Sequence, residues 1–228
     1  MEHNLQEALM EKLQPEVVFT LPIFGGIPVT SSVVVTWIIM FILVFASILM
    51  TGSLKAIPTG KQNIIEALVD GINSFIKGII GHEWKIFAPY LGTVALFLSI
   101  ANIAAVFGFT PPTKDLNVTA ALSVMTIALV VGAGVRFKGF KGWLKGFKEP
   151  LLLIMPMNIL ELFIRPLSLS MRLFGNVLGS YVIMELLMEV IPLGIPAILS
   201  LYFDIFDGLI QMIIFVFLSA LFIKEGIE

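Results

Sequence analysis

The chain has 228 residues, 58% of them hydrophobic and 13% charged, with mean hydropathy +1.01 and formal net charge −2. A soluble domain carries about 25% charge, so this composition belongs to an integral membrane protein with several spans. The absence of cysteine excludes disulfides, thiolate metal sites and cysteine nucleophiles.

Residues 1–30 are acidic at their start (Glu2, Glu7, Glu11, Glu16) and interrupted by Pro22, Gly25, Gly26 and Pro28. They lack a basic region before an apolar core, so they read as neither a cleaved signal nor a transit peptide. Residues 31–51 are apolar and uncharged over about one bilayer thickness and are predicted to be the first span. Residues 61–80 place Ile64, Ile65, Leu68, Ile72 and Phe75 at helical spacing, with Glu66, Asp70 and Lys77 on other faces. That pattern predicts a weakly amphipathic helix lying at the membrane interface. Residues 86–109, containing Asn102, form the second predicted span. Pro111-Pro112 marks a turn, and residues 117–135 are the third span.

Residues 136–148 interleave Arg136, Lys138, Lys141, Lys145 and Lys148 with Phe137, Phe140, Trp143 and Phe147. This suits an interfacial hairpin facing anionic headgroups. Residues 150–191 are almost continuously apolar. At about 1.5 Å per residue they reach about 60 Å, twice the ~30 Å hydrocarbon thickness. Either a re-entrant pair or one strongly tilted helix satisfies that length. No Pro-Gly turn divides the run, which favours the tilted helix. Residues 197–223 form a last long helix after Pro192, Gly194 and Pro196.

The expected fold class is therefore an all-α integral membrane protein in a single membrane domain. It has about five crossings plus interfacial elements, and its last two helices are long and strongly tilted. Lysine and arginine concentrate after the first and third spans and at Lys224, while the N-terminus and the 110–116 turn hold only Lys12 and Lys114. The positive-inside rule puts the N-terminal segment outside and the C-terminus in the cytoplasm. No internal repeat stands out, so inverted-repeat transporter architecture has no support.

Charge is almost absent from the first three spans and concentrates in the last two helices as Glu161, Arg165, Arg172, Glu185, Glu189, Asp204 and Asp207. Glu161 and Arg165 are i,i+4 and can form a structural ion pair. Arg172 has Ser168, Leu169, Gly175 and Asn176 at i±3 and i±4, so no carboxylate on its own helix can pair with it. A permanent cation at bilayer depth costs roughly 2.5 to above 10 kcal/mol. Its counter-charge comes from another helix, such as Asp204 or Asp207, or from another subunit. Asp204, Asp207 and Gln211 fall at i, i+3 and i+7, one polar stripe that serves either an ion path or packing between helices. Glu185 and Glu189 either line an outer vestibule or sit among headgroups. Gly175, Gly179 and Ser180 permit close approach of a partner helix.

There is no phosphate-binding glycine loop, His-Glu-x-x-His metal motif or catalytic triad pattern. No catalytic residue, metal site or cofactor is expected, and nothing indicates nucleic-acid binding.

The run from Arg165-Pro166 through Arg172-Leu-Phe-Gly-Asn176 resembles the signature of subunit a of F-type ATP synthase. Pro58-Thr-Gly-Lys-Gln62-Asn63 with Glu66, Pro111-Pro112-Thr113, Asp115-Leu-Asn117, Asn158-Ile-Leu-Glu161, and Asp204 with Gln211 extend the resemblance over roughly residues 31–225. It implies a stator beside a rotating c-subunit ring, with subunit b and the rest of the complex as further partners. It further implies two offset half-channels in a cytoplasmic (cell inner) membrane, embedded in lipid. Arg172 matches the essential arginine that makes the ring carboxylate release its ion. Asn176, Asp204 and Gln211 match positions of the outer half-channel. Some members carry a glutamate nine residues after the arginine and a histidine where Asp204 stands. Here the first position is Tyr181, so the resemblance puts the outer path on Asp204, with Glu185 or Asp207 in support. The translocated ion is expected to be H⁺, with Na⁺ as the alternative. A stand-alone ion transporter or channel, with Arg172 paired internally, is the competing reading.

Overall fold

The computed structural model describes residues 17–22, 26–52, 55, 60–106, 109–147, 155–190, 199 and 201–227. Strands β1 (Val17–Leu21) and β2 (Ile27–Thr30) form an antiparallel hairpin. Helices follow as α1 (Ser31–Thr51), α2 (Lys61–Ile80), α3 (Trp84–Val106), α4 (Leu116–Gly146) and α5 (Met155–Val190). A π-helical segment, Leu201–Asp207, runs directly into α6 (Gly208–Ile227). Five helical stretches are long and apolar enough to cross a membrane. This is a multi-pass, all-α membrane fold with one small hairpin added.

That hairpin is a small β element added to the expected all-α fold. The β-branched and aromatic run Val17-Val18-Phe19-Thr20-Leu21 is a strand signal. Pro28 is tolerated because β2 has only one partner strand. The hairpin leads into α1 at Thr30, whose Oγ1 donates to Asp115 Oδ2 at 3.0 Å. The same carboxylate caps α4, accepting from the Asn117 backbone N–H at 2.9 Å.

Two apolar clusters hold the helices together. Ile76 and Ile80 of α2 join Phe87 and Leu91 of α3, Val130 of α4, and Val216 and Ile223 of α6. Ile39 of α1 joins Leu98 of α3, Leu169 and Leu173 of α5, and Phe215 of α6. Helices α3 and α6 contribute to both clusters and form the centre. The face of α2 that turns inward is Ile72, Ile76 and Ile80, whereas Ile64, Leu68 and Phe75 stay exposed. Most of α1 is likewise exposed and apolar, a surface that lipid solvates as well as protein does.

Helix α4 continues beyond residue 135, through Arg136 and Lys138, to a break at Gly139, where φ is +72°. Glycine alone adopts that conformation freely. The chain then folds back, and Trp143 packs so closely on Gly134 that a Cβ there would lie 2.7 Å from the indole Cδ1. Trp143 also meets Phe147 edge-on at 4.8 Å between ring centres. Helix α5 is one unbroken helix through Pro166, not a re-entrant pair. The last helix extends to Ile227, four residues past its expected end.

Candidate functional site

The Arg172 segment is positioned by its opposite face. Leu169, Ser170 and Leu173 are buried against the core. The hydroxyls of Ser170 and Thr119 lie 3.2 Å apart, fixing α5 against α4. Arg172 is thereby turned outward and exposed. Among the described residues it makes no hydrogen bond and no ion pair. Gly175 and Gly179, at i+3 and i+7 from it, are exposed with open space where a side chain would be. This part of α5 therefore has room for a helix from outside the chain.

One turn from Arg172, Asn176 Nδ2 donates to Asp207 Oδ2 at 2.7 Å. This pair joins α5 to the end of the π-helical segment. Directly after it, Asn102 Nδ2 of α3 donates to the Gly208 carbonyl at 2.8 Å. Gly208 is buried, and a Cβ there would lie 2.7 Å from Asn102 Cβ. Gln211, one α-turn on, is 6% exposed. The expected stripe of Asp204, Asp207 and Gln211 presupposed α-helical spacing throughout. The i→i+5 bonding of Leu201–Asp207 widens the turn, and α spacing begins only at its end. The side chains of Asp204, Glu185 and Glu189 lie outside the described residues.

The overlap of Asn102 with position 208 has a direct consequence. Gly208→Ala is expected to push α3 from α6 and to cost about 1–3 kcal/mol, as overpacking does. The measurement is the steady-state amount of the subunit in membranes. A wild-type amount would show that the contact relaxes freely.

Arg165 Nη2 binds Glu161 Oε2 at 2.9 Å and Glu225 Oε2 of α6 at 2.8 Å. Its guanidinium lies 4.9 Å from the centre of the Phe222 ring. This cluster borders a cavity of about 230 Å³ that Lys138, Trp143 and Asn158 also line. Glu225 and Phe222 were absent from the sequence reading, because nothing in a single helix marks a partner sixty residues away. At the far end of α5, the Lys114 ammonium sits 3.5 Å above the Tyr181 ring.

The family described as ATP synthase A chain matches residues 33–224, nearly the whole chain. The chain belongs to the ATP synthase A chain family. It is 35% identical over 218 residues to the sodium-ion-specific ATP synthase subunit a of Propionigenium modestum, covering 89% of this chain and 75% of that one. It is 35% identical over 220 residues to ATP synthase subunit a of Moorella thermoacetica, covering 96% and 99% of the two chains. It is 36% identical over 204 residues to ATP synthase subunit a 2 of a Bradyrhizobium species, covering 89% and 91%. Family membership makes the chain an ion-translocating part of an ATP synthase membrane sector. Arg172, Asn176 and Asp207 all lie inside the matched region, and Glu225 falls one residue beyond it.

Proposed function

We propose that this chain supplies two offset half-channels that carry ions to and from a carboxylate on a rotating c-subunit ring. The observation that carries this reading is Arg172: exposed, without a partner in the described chain, beside an open glycine face. A permanent cation at bilayer depth needs a counter-charge. The ring carboxylate supplies one at each step and gives up its ion as it meets the guanidinium. Between encounters the fixed charge blocks direct leakage from one half-channel to the other.

The outer half-channel, in this reading, uses Asn176, Asp204, Asp207, Gln211 and Glu185. The Glu161–Arg165 pair, extended to Glu225, is structural and lies toward the cytoplasm. Helix α5 measures about 54 Å at 1.5 Å per residue, so it tilts strongly to stay within a ~30 Å core and follows the ring surface. The clustering of lysine and arginine supports an N-terminus outside and a C-terminus in the cytoplasm of a cell inner membrane. Subunit b and the remaining subunits are the other partners. The ion is H⁺, with Na⁺ as the alternative that the Propionigenium relative's name raises.

Affinity purification of the tagged chain from membranes tests the assembly. The c-ring is expected to co-purify in detergent. Recovery of the chain without a ring, together with ion flux by the isolated chain in vesicles, would establish a stand-alone channel instead.

A further inference from the structure

We propose that Asp207 is an ion-carrying carboxylate of the outer path, and that Asn102 is its positioning residue, acting through the Gly208 backbone. The inference rests on the half-channel reading above and assigns the carboxylate within it.

Several features of the fold converge on this point. Asp207 is only half-buried, so an ion can reach it, and its Oδ2 accepts from Asn176 Nδ2 at 2.7 Å. Asn176 is one turn from Arg172 on the same helix. Asp207 therefore lies one hydrogen bond away from the turn that presents the guanidinium. The second carboxylate oxygen has no partner among the described residues and is left to take H⁺ or to coordinate Na⁺. An ion arriving from outside binds there and then passes to the ring carboxylate as that group comes alongside, leaving Asp207 ionised for the next.

The backbone beneath Asp207 is unusual. It closes a seven-residue π-helical segment, a geometry that is rare and frequent at functional sites. Asn102 holds the backbone where that segment ends. Its amide reaches from α3 to the carbonyl of the residue next to Asp207 at 2.8 Å. Its Cβ fills the space that any side chain at position 208 would need. Asn102 is itself 6% exposed, and its hydrogen bond to the Gly208 carbonyl is what makes burial of the amide tolerable.

The test uses the whole complex in inverted membrane vesicles, with ATP-driven H⁺ and Na⁺ uptake normalised to complex content. Asp207→Asn is expected to lower uptake about tenfold or more, and Asp207→Glu to retain part of it. Normal uptake in Asp207→Asn overturns the assignment.

Positioning is read separately. The chain has no cysteine, so introduced pairs report their own distances. Asn176→Cys with Asp207→Cys is expected to cross-link under mild oxidation, and to do so severalfold less when Asn102→Leu is added. A control pair, Thr119→Cys with Ser170→Cys, replaces hydroxyls 3.2 Å apart and is expected to be unaffected by Asn102→Leu. An undiminished 176–207 cross-link in Asn102→Leu removes the positioning role. The half-channel reading fails on a different result, wild-type ATP synthesis in Arg172→Ala.

Discussion

Arg172→Ala is expected to abolish coupled ATP synthesis while the complex still assembles. The side chain is exposed and makes no contact that the described fold depends on, so its removal leaves the packing of α5 intact. The residues that anchor the helix are Leu169, Ser170 and Leu173 on another face. What disappears, in the proposed mechanism, is the fixed charge that the ring carboxylate meets. Arg172→Lys is expected to fail as well, although it keeps a positive charge at neutral pH. Lysine is a compact ammonium that can shed its proton when desolvated, whereas the guanidinium stays charged and presents a broad donor fork. The measurement is ATP synthesis driven by an imposed ion gradient, alongside the amount of assembled complex. Synthesis at the wild-type rate in either variant contradicts the mechanism.

The second large effect is expected at Arg165. Removing it leaves Glu161 and Glu225 facing one another across the cavity, without the cation that bridged them at 2.9 and 2.8 Å. A fully buried broken pair costs about 3–5 kcal/mol and a fully exposed one about 0–1. The side chains are 26% exposed for Arg165 and 47% for each glutamate, so about 1–3 kcal/mol is expected for Arg165→Ala. Subunit abundance is expected to drop severalfold. Glu161→Ala is milder, because Glu225 remains. Exchanging the charges of Glu161 and Arg165 is not expected to restore abundance. The new glutamate at 165 would then face Glu225. Adding Glu225→Arg is expected to recover part of it. Equal abundance in all these variants argues against the cluster.

The membrane fold was legible because bilayer thickness constrains the sequence so strongly. Residues 31–51 are uncharged over one membrane thickness, and helix α1 occupies that same range. The single long α5 was legible from the length of the apolar run and the absence of a Pro-Gly turn between residues 150 and 191. The lack of a partner for Arg172 on its own helix was legible because i±3 and i±4 neighbours are fixed by helix geometry, and none is acidic. Three features were not legible. The β-hairpin carries a strand signal in Val17–Leu21, but the prolines and glycines around it obscured the pairing. On α2, period alone did not distinguish the face packed on protein from the face left to lipid, since isoleucine serves both. The π-helical segment at Leu201–Asp207 has no local composition that forecasts it. Its end is held by Asn102, about a hundred residues earlier, and its partner Asn176 is thirty-one residues away. Contacts between helices decide such features, and spacing within one helix does not report them.

In the proposed mechanism the counter-charge of Arg172 lies on another subunit. Ser168 and Gly175 flank Arg172 at i−4 and i+3, and both are exposed. Ser168→Cys or Gly175→Cys, introduced singly into this cysteine-free chain, can be paired with a cysteine placed one turn from the ring carboxylate of the c subunit. Oxidation of membranes containing the assembled complex is expected to give an a–c cross-link from both positions, and none from Thr126→Cys, which is buried in α4. Absence of cross-links from 168 and 175 in assembled, active complexes would place the ring elsewhere and contradict the account.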